Sequence, residues 1–139
     1  MIQRVQTIYL LAVAFLQAIM LFSVQATVFD ELGTEKLFKI SENWQWALFI
    51  ALSILLPLIA IFLFKKRRLQ VRLSIFNALL LFALQIIVVV FLMGLSKEYK
   101  IVNYAVNDIS PAISLILTIL AIRFILKDEM KIRSYNRIR

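Results

Sequence analysis

Two glutamines are the deepest strong hydrogen-bonding side chains within the apolar stretches of this chain. Gln17 and Gln85 each lie about twelve residues from one end of such a stretch, so they fall at similar depth if the two helices run in the same direction. An amide in hydrocarbon needs a partner, and a bond between helices contributes roughly 0.6–2 kcal/mol. We therefore predict that both glutamines make interhelix polar contacts and help to pack the helices. A substrate or ion pathway is the alternative interpretation.

Catalytic residue types are scarce in this sequence. The chain has no His and no Cys, which removes the usual general base near neutral pH and every thiolate site. It also has no Gly-rich phosphate loop and no carboxylate pair within an apolar stretch. Asp30 and Glu31 are adjacent, but a hydrated loop explains them. We expect a non-enzymatic protein without catalytic, cofactor-binding or metal-binding residues.

The two glutamines lie in the first and third of four long apolar stretches. The 139 residues are 63% hydrophobic, and the mean hydropathy is +0.91. Each stretch is roughly as long as a helix must be to cross a ~30 Å hydrocarbon core, and none has a charged face. This pattern predicts an all-α membrane protein, a four-helix transmembrane bundle in one domain over residues 1–139. The predicted spans are about 5–25, 46–64, 73–95 and 109–126. The first could alternatively be a signal peptide, with Arg4 before it and Val24-Gln25-Ala26 as the cleavage site.

The cations are distributed unequally between the two predicted sides of the membrane. The first and third connections hold four of the sixteen, and the ends and the second connection hold the other twelve. Cytoplasmic loops are enriched in Lys and Arg. We therefore expect a multi-pass membrane protein with both termini, a basic loop at 65–72 and a tail at 127–139 in the cytoplasm.

Cationic residues on the predicted cytoplasmic side are candidates for contacts with lipid headgroups or a protein partner. Near the membrane surface each cation contributes about 1 kcal/mol of attraction to anionic lipids. Nucleic acid is not expected, because no aromatic platform or folded binding module accompanies the cations. The tail resembles a helical continuation of the fourth span that could dock a partner. The candidate contact residues are Lys65, Lys66, Arg67, Arg68, Arg123, Arg133, Arg137 and Arg139.

The two predicted outer connections contain short segments of strand-like composition. Residues 35–40 and 99–104 lie on the same face of the membrane, which suggests a small two-stranded, hairpin-like cap; irregular loops are the alternative. Asp108 or Ser110 is expected to cap the fourth helix, and Pro111 suits its first turn. Small residues four apart predict close helix packing within one subunit or against a partner. These residues are Ser110, Ser114 and Thr118, Ala47 and Ala51, and Ala14 and Ala18.

Both ends of the chain resemble a known family. Residues 1–10, MIQRVQTIYL, are similar to its characteristic start, and Lys127-Asp128-Glu129, Ile132-Arg133-Ser134 and residues 136–139 are similar to its charged end. The family is the four-pass Bacteroidota family called domain of unknown function 4293. Asn136 and Ile138 depart from its pattern, which has Asp and Leu there. The resemblance implies an inner-membrane protein, and it implies no activity, cofactor or partner.

These observations together favour a non-enzymatic accessory or scaffold subunit of a membrane complex. Membrane lipids are the expected partners, together with another membrane protein or a second copy of the chain. A small transporter, channel or lipid-handling protein is the alternative, and it would need a polar cavity that reaches Gln17 and Gln85.

Overall fold

The structure is a computed structural model that describes residues 3–29, 34–64 and 66–137. Side chains are described for 5–29, 34–64, 66–99 and 103–132. Within these residues the chain forms four long helices, three short strands and two 3₁₀ turns, at Ile40–Glu42 and Val106–Ile109. The helices are α1 (Gln3–Phe22), α2 (Trp44–Phe62), α3 (Arg67–Glu98) and α4 (Ser110–Arg137), and the strands are β1 (Ala26–Phe29), β2 (Glu35–Phe38) and β3 (Lys100–Tyr104).

The four helices pack as a ring. α1 and α3 each contact both α2 and α4, so α1 and α3 face each other diagonally. α1 begins, α2 ends, α3 begins and α4 ends at one end of the bundle, which we call the basic end. The strands lie at the opposite end, which we call the cap end.

Along the helices the outer surface of the bundle is largely apolar, and several polar side chains are buried among the apolar residues of the core. Phe15, Phe62 and Ile116 are 68%, 80% and 61% exposed, whereas Gln17 and Asn77 are completely buried. A surface of this kind is stable in lipid, where apolar side chains meet apolar solvent. All four helices are long and apolar enough to cross a membrane. The predicted all-α membrane bundle with a small β cap is therefore confirmed.

Two predicted boundaries are wrong. α1 ends at Phe22, and only a short connection separates it from β1. α3 begins at Arg67, so Arg67, Arg68 and Arg72 belong to a helix and not to the predicted loop at 65–72. Arg, Leu and Gln are good helix formers, so the chain becomes helical before it enters the apolar region. With 32 residues, α3 is about 48 Å long, which exceeds a hydrocarbon core of ~30 Å.

The cap is a three-stranded antiparallel sheet with the order β2-β1-β3. The two segments of predicted strand character therefore do not pair with each other, because both pair with β1. β1 was hidden in the sequence at the end of the first apolar stretch. Its alternate residues Ala26 and Val28 are 1% and 0% exposed, so one face of the sheet is buried. A central strand with one buried face gives the cap the packing that two strands alone lack.

Candidate functional site

Gln17 connects three of the four helices in the middle of the bundle. Its Nε2 donates a hydrogen bond of 2.9 Å to Ser114 Oγ on α4, and its Oε1 lies 3.4 Å from Ser53 Oγ on α2. All three residues are 0% exposed. We call Gln17, Ser53 and Ser114 the Gln17 cluster. It joins three helices in the half of the bundle nearer the cap end, with polar contacts and without a charge.

The bond from Gln17 to Ser114 is the stronger contact of the cluster. A hydroxyl group has one proton, and Ser53 Oγ donates it over 2.7 Å to Ile50 O in its own helix. The 3.4 Å between Ser53 Oγ and Gln17 Oε1 is long for an O–H···O bond, so this contact is weak. Consequently the α1–α4 link depends on Ser114, and Ser53 mainly fills the space on the α2 side.

Gln85 binds the start of α4 and does not bond to Gln17. Its Oε1 accepts a hydrogen bond of 3.1 Å from the backbone N–H of Ala112. The first N–H groups of a helix have no partner within the helix, so Gln85 caps α4 from a neighbouring helix. The predicted capping by Asp108 or Ser110 is wrong. Both side chains are buried, and their oxygens have no hydrogen-bond partner among the described residues.

Gln25 joins the cap to the bundle, and its role was not evident in the sequence. Its Oε1 accepts a 2.7 Å bond from the N–H of Ile40, and its Nε2 donates over 3.1 Å to Met20 O at the end of α1. Its backbone N–H bonds to Phe38 O, and its carbonyl accepts from the N–H of Ala105. The side chain is 1% exposed. A Gln at the end of an apolar stretch gives no sign of these contacts, because all but one depend on distant residues.

The small residues of α4 face the interior. Ser110, Ser114 and Thr118 are at most 5% exposed, and Thr118 Oγ1 donates over 2.7 Å to Ser114 O. Ala14 is also buried, whereas Ala18, Ala47 and Ala51 are only partly buried. These three small residues of α4 therefore contribute to packing within the subunit.

A groove opens at the basic end where α3 begins. It has a volume of about 490 Å³ and is lined by Lys66, Arg67, Arg68, Leu69 and Glu129. Lys66 and Arg68 are exposed, and Arg68 Nε lies 3.7 Å from Glu129 Oε1. We call these five residues the basic groove. Three cations face one carboxylate there, so the groove has an excess of positive charge.

The remaining predicted contact residues are scattered. Arg123 is exposed on the outer surface of α4, from which its long side chain can extend toward the headgroups. Arg133 and Arg137 belong to the last turns of α4, for which the structure describes the backbone only. Lys65 and Arg139 lie outside the described residues, as do Asp30 and Glu31 between β1 and β2.

Further buried polar atoms lack partners on the side of the Gln17 cluster that faces the basic end. Gln70, Ser74 and Asn77 follow one face of α3 at spacings of four and three residues, and all three are at most 1% exposed. Gln70 Oε1, Ser74 Oγ and both polar atoms of Asn77 have no hydrogen-bond partner in the described residues. We call these three residues the α3 polar row. No group of three or more metal-ligating side chains occurs in the part of the chain that the structure describes.

An apolar exterior and four helices long and apolar enough to span a membrane define a multi-pass membrane protein. The model of the family "Domain of unknown function (DUF4293)" matches residues 2–138, nearly the whole chain. The chain therefore belongs to this family, as the resemblance of its two ends indicates. No curated protein and no solved structure matches the chain.

Proposed function

We propose that this protein is a non-enzymatic accessory or scaffold subunit of a membrane complex. On this proposal it lies in a bacterial inner membrane, with both termini in the cytoplasm. The basic end of the bundle is then the cytoplasmic end. The excess of cations at this end supports the orientation, because cytoplasmic ends of membrane helices are enriched in Lys and Arg. The partner is another membrane protein or a second copy of the chain.

The length of α4 is the observation that carries the proposal. Its 28 residues form one continuous helix of about 42 Å, roughly 12 Å more than a ~30 Å hydrocarbon core occupies. The excess length begins near Lys127 and carries charged residues as far as Arg137. Asp128 is buried and Glu129 lies near Arg68, so one face of this extension packs against the bundle. Its exposed face, with Lys127, Met130 and Lys131, gives a partner a defined surface.

The Gln17 cluster supports a structural role over a conduit. It joins α1 to α4 and contacts α2 with side chains that are fully buried. Each hydrogen bond of this type contributes roughly 0.6–2 kcal/mol. A bundle held in this way is suited to present its ends in a fixed geometry.

The basic groove supports a role for anionic lipids. Lys66, Arg67 and Arg68 lie where α3 enters the membrane. The phosphate groups of the lipids lie at the same depth. Each cation there contributes about 1 kcal/mol of attraction to an anionic leaflet. Headgroup binding at this position would fix the depth of α3 while the tail of α4 contacts a protein.

Purification from the native membrane in a mild detergent tests the proposal. The full chain is compared with a variant in which Lys127, Lys131 and Arg133 are replaced by Gln. We expect a protein partner, or a second copy of the chain, to co-purify with the full chain and to be lost from the variant. A matched control replaces Lys36, Lys39 and Lys97 by Gln at the cap end and should keep the partner. A lone monomer in all three preparations would overturn the proposal.

A small transporter or channel is the second candidate function, and one observation favours it. Unpartnered buried polar atoms lie on both sides of the Gln17 cluster, in the α3 polar row and at Asp108 and Ser110. Solute flux into proteoliposomes distinguishes the candidates. If Gln17→Ala or Ser114→Ala produces or raises a flux that empty liposomes lack, the cluster is a gate and the transporter is favoured. Flux equal to that of empty liposomes in all variants favours the scaffold.

A further inference from the structure

We infer that the bundle contains a water-filled site between the basic groove and the Gln17 cluster, lined by the α3 polar row and by Gln6. This site is independent of the scaffold role proposed above. Gln6 Oε1, Gln70 Oε1, Ser74 Oγ and the two amide atoms of Asn77 are buried and lack a partner within the described residues.

These atoms lie at matching depths on two diagonal helices. The rings of Tyr9 and Phe124 stack at 5.7 Å, and Arg68 pairs with Glu129 at 3.7 Å, which fixes the relative depth of α1, α3 and α4. At about 1.5 Å per residue, Gln6 lies about 4.5 Å beyond Tyr9 toward the basic end. Gln70 lies at the same level by the same count. Both side chains are at most 4% exposed, so both point into the bundle.

These five atoms do not satisfy one another. Gln6 Oε1, Gln70 Oε1 and Asn77 Oδ1 can only accept hydrogen bonds, whereas the donors without a partner in this row are Asn77 Nδ2 and the Ser74 hydroxyl. The bonds are not formed between these groups in the structure. A buried polar atom without a partner costs much of what a hydrogen bond in an apolar medium is worth. Five such atoms together would cancel the net stability of an ordinary domain.

Water is the occupant that fits this set of atoms. A water molecule donates two hydrogen bonds and accepts two, so it supplies the donors that the amide oxygens require. Buried waters typically bind two to four polar groups that would otherwise lack partners. The α3 polar row contains no carboxylate that could bind a metal ion. Three cations at its entrance also oppose the entry of such an ion.

Arg67 connects the site to the basic end. It lines the basic groove of about 490 Å³, and its Nη1 is buried without a partner among the described residues. Arg67 precedes Gln70 by three residues, so it lies on the same face of α3, next to the α3 polar row. On this inference water enters through the groove, passes Arg67 and follows the α3 polar row to Asn77. The Gln17 cluster, which lies deeper, closes the site toward the cap end.

Cysteine accessibility tests this inference directly, because the natural chain has no cysteine of its own. Ser74→Cys and Ser53→Cys are matched variants, since each replaces a fully buried serine by its nearest isostere. Lys66→Cys and Ser96→Cys are exposed references for the basic end and the cap end. Each full-length variant is reconstituted in vesicles of both orientations and treated with a membrane-impermeant, water-soluble methanethiosulfonate.

We expect Ser74→Cys to react at least about tenfold faster than Ser53→Cys, because a thiol in a dry apolar site is inert. Ser74→Cys should react in the same vesicle orientation as Lys66→Cys, so the result does not depend on which end is cytoplasmic. Gln70→Cys, one turn nearer the groove, provides the same test if Ser74→Cys does not fold. Equal slow rates at positions 74 and 53 would overturn the inference. Labelling of position 74 in the orientation of Ser96→Cys would also overturn it.

Discussion

Gln17 and Ser114 are 97 residues apart in sequence, and a 2.9 Å hydrogen bond between their side chains joins α1 to α4 in the middle of the bundle. Both residues are completely buried. Among the described residues Gln17 Nε2 donates to Ser114 Oγ alone, so the side-chain link between the two helices at this level depends on this pair. The closure of the bundle, and thus the fixed position of its charged ends, depends on this pair and on the apolar side chains packed around it.

Replacing Gln85 should weaken the start of α4. Gln85→Leu removes the acceptor for the N–H of Ala112, and loss of a helix cap costs about 0.5–2 kcal/mol. We therefore expect the amide hydrogen of Ala112 to exchange roughly 2- to 30-fold faster, because local opening becomes easier. Ile86→Leu, a change at the adjacent lipid-facing residue, is the control and should leave the rate unchanged. Unaltered exchange at Ala112 in Gln85→Leu would show that the cap is not a working contact.

Gln25→Leu should destabilise the junction between the cap and the helices. It leaves the buried N–H of Ile40 without its side-chain acceptor, at a cost of about 1–3 kcal/mol. It also removes one donor to Met20 O, which keeps its bond from the Ser23 hydroxyl. The free energy of unfolding in micelles and the rate of proteolysis within residues 34–43 would both report the change. Gln45→Leu alters an exposed glutamine and is the matched control. Equal stability of the two variants would contradict the role of Gln25.

Much of this architecture can be predicted from the sequence, because the strongest signals are local. Apolar stretches of sufficient length identify four helices without knowledge of their neighbours. Gln17 and Gln85 are noticeable for the same reason, since an amide in an apolar stretch is rare. Their partners are not predictable in this way, because Ser114 and the N–H of Ala112 come near only after α4 has packed.

The errors in the prediction have the same physical origin. β1 follows α1 after a short connection, so its Ala26 and Val28 extend the apolar stretch instead of marking a new element. Arg67 and Arg68 are charged and were assigned to a loop, yet charge does not prevent a helix from continuing beyond the membrane. Asp108 is a good capping residue by type, but Gln85 reaches the start of α4 from another helix and replaces it.

Cations of the basic groove should bind anionic lipid without stabilising the fold. Replacing Lys66 and Arg68 by Gln removes about 1 kcal/mol of lipid attraction per cation, or roughly a fivefold loss of affinity for each. The exposed Arg68–Glu129 pair itself contributes at most about 1 kcal/mol to stability. Native mass spectrometry can compare adducts with anionic and zwitterionic lipids. Lys97→Gln, at the other end of α3, is the control, and equal adduct loss in both variants would count against a specific groove.

The orientation of the chain makes a separate prediction. Reporters fused after Arg139 and inserted within residues 30–33 should lie in opposite compartments, with the fusion at Arg139 in the cytoplasm. The reason is the excess of cations at the basic end together with the even number of spanning helices. The same compartment for both reporters would refute the four-span topology, and reversed compartments would refute only its orientation.

The most direct test of the closed bundle is a double-mutant cycle on Gln17 and Ser114. Gln17→Leu, Ser114→Ala and the double variant are unfolded reversibly in micelles, and the free energies are compared with those of the natural protein. A bond across helices predicts a coupling energy of roughly 0.6–2 kcal/mol. A control cycle pairs Gln17→Leu with Ser96→Ala at the exposed end of α3, where additivity is expected. Additive effects for Gln17 and Ser114 as well would contradict the bond that closes the bundle.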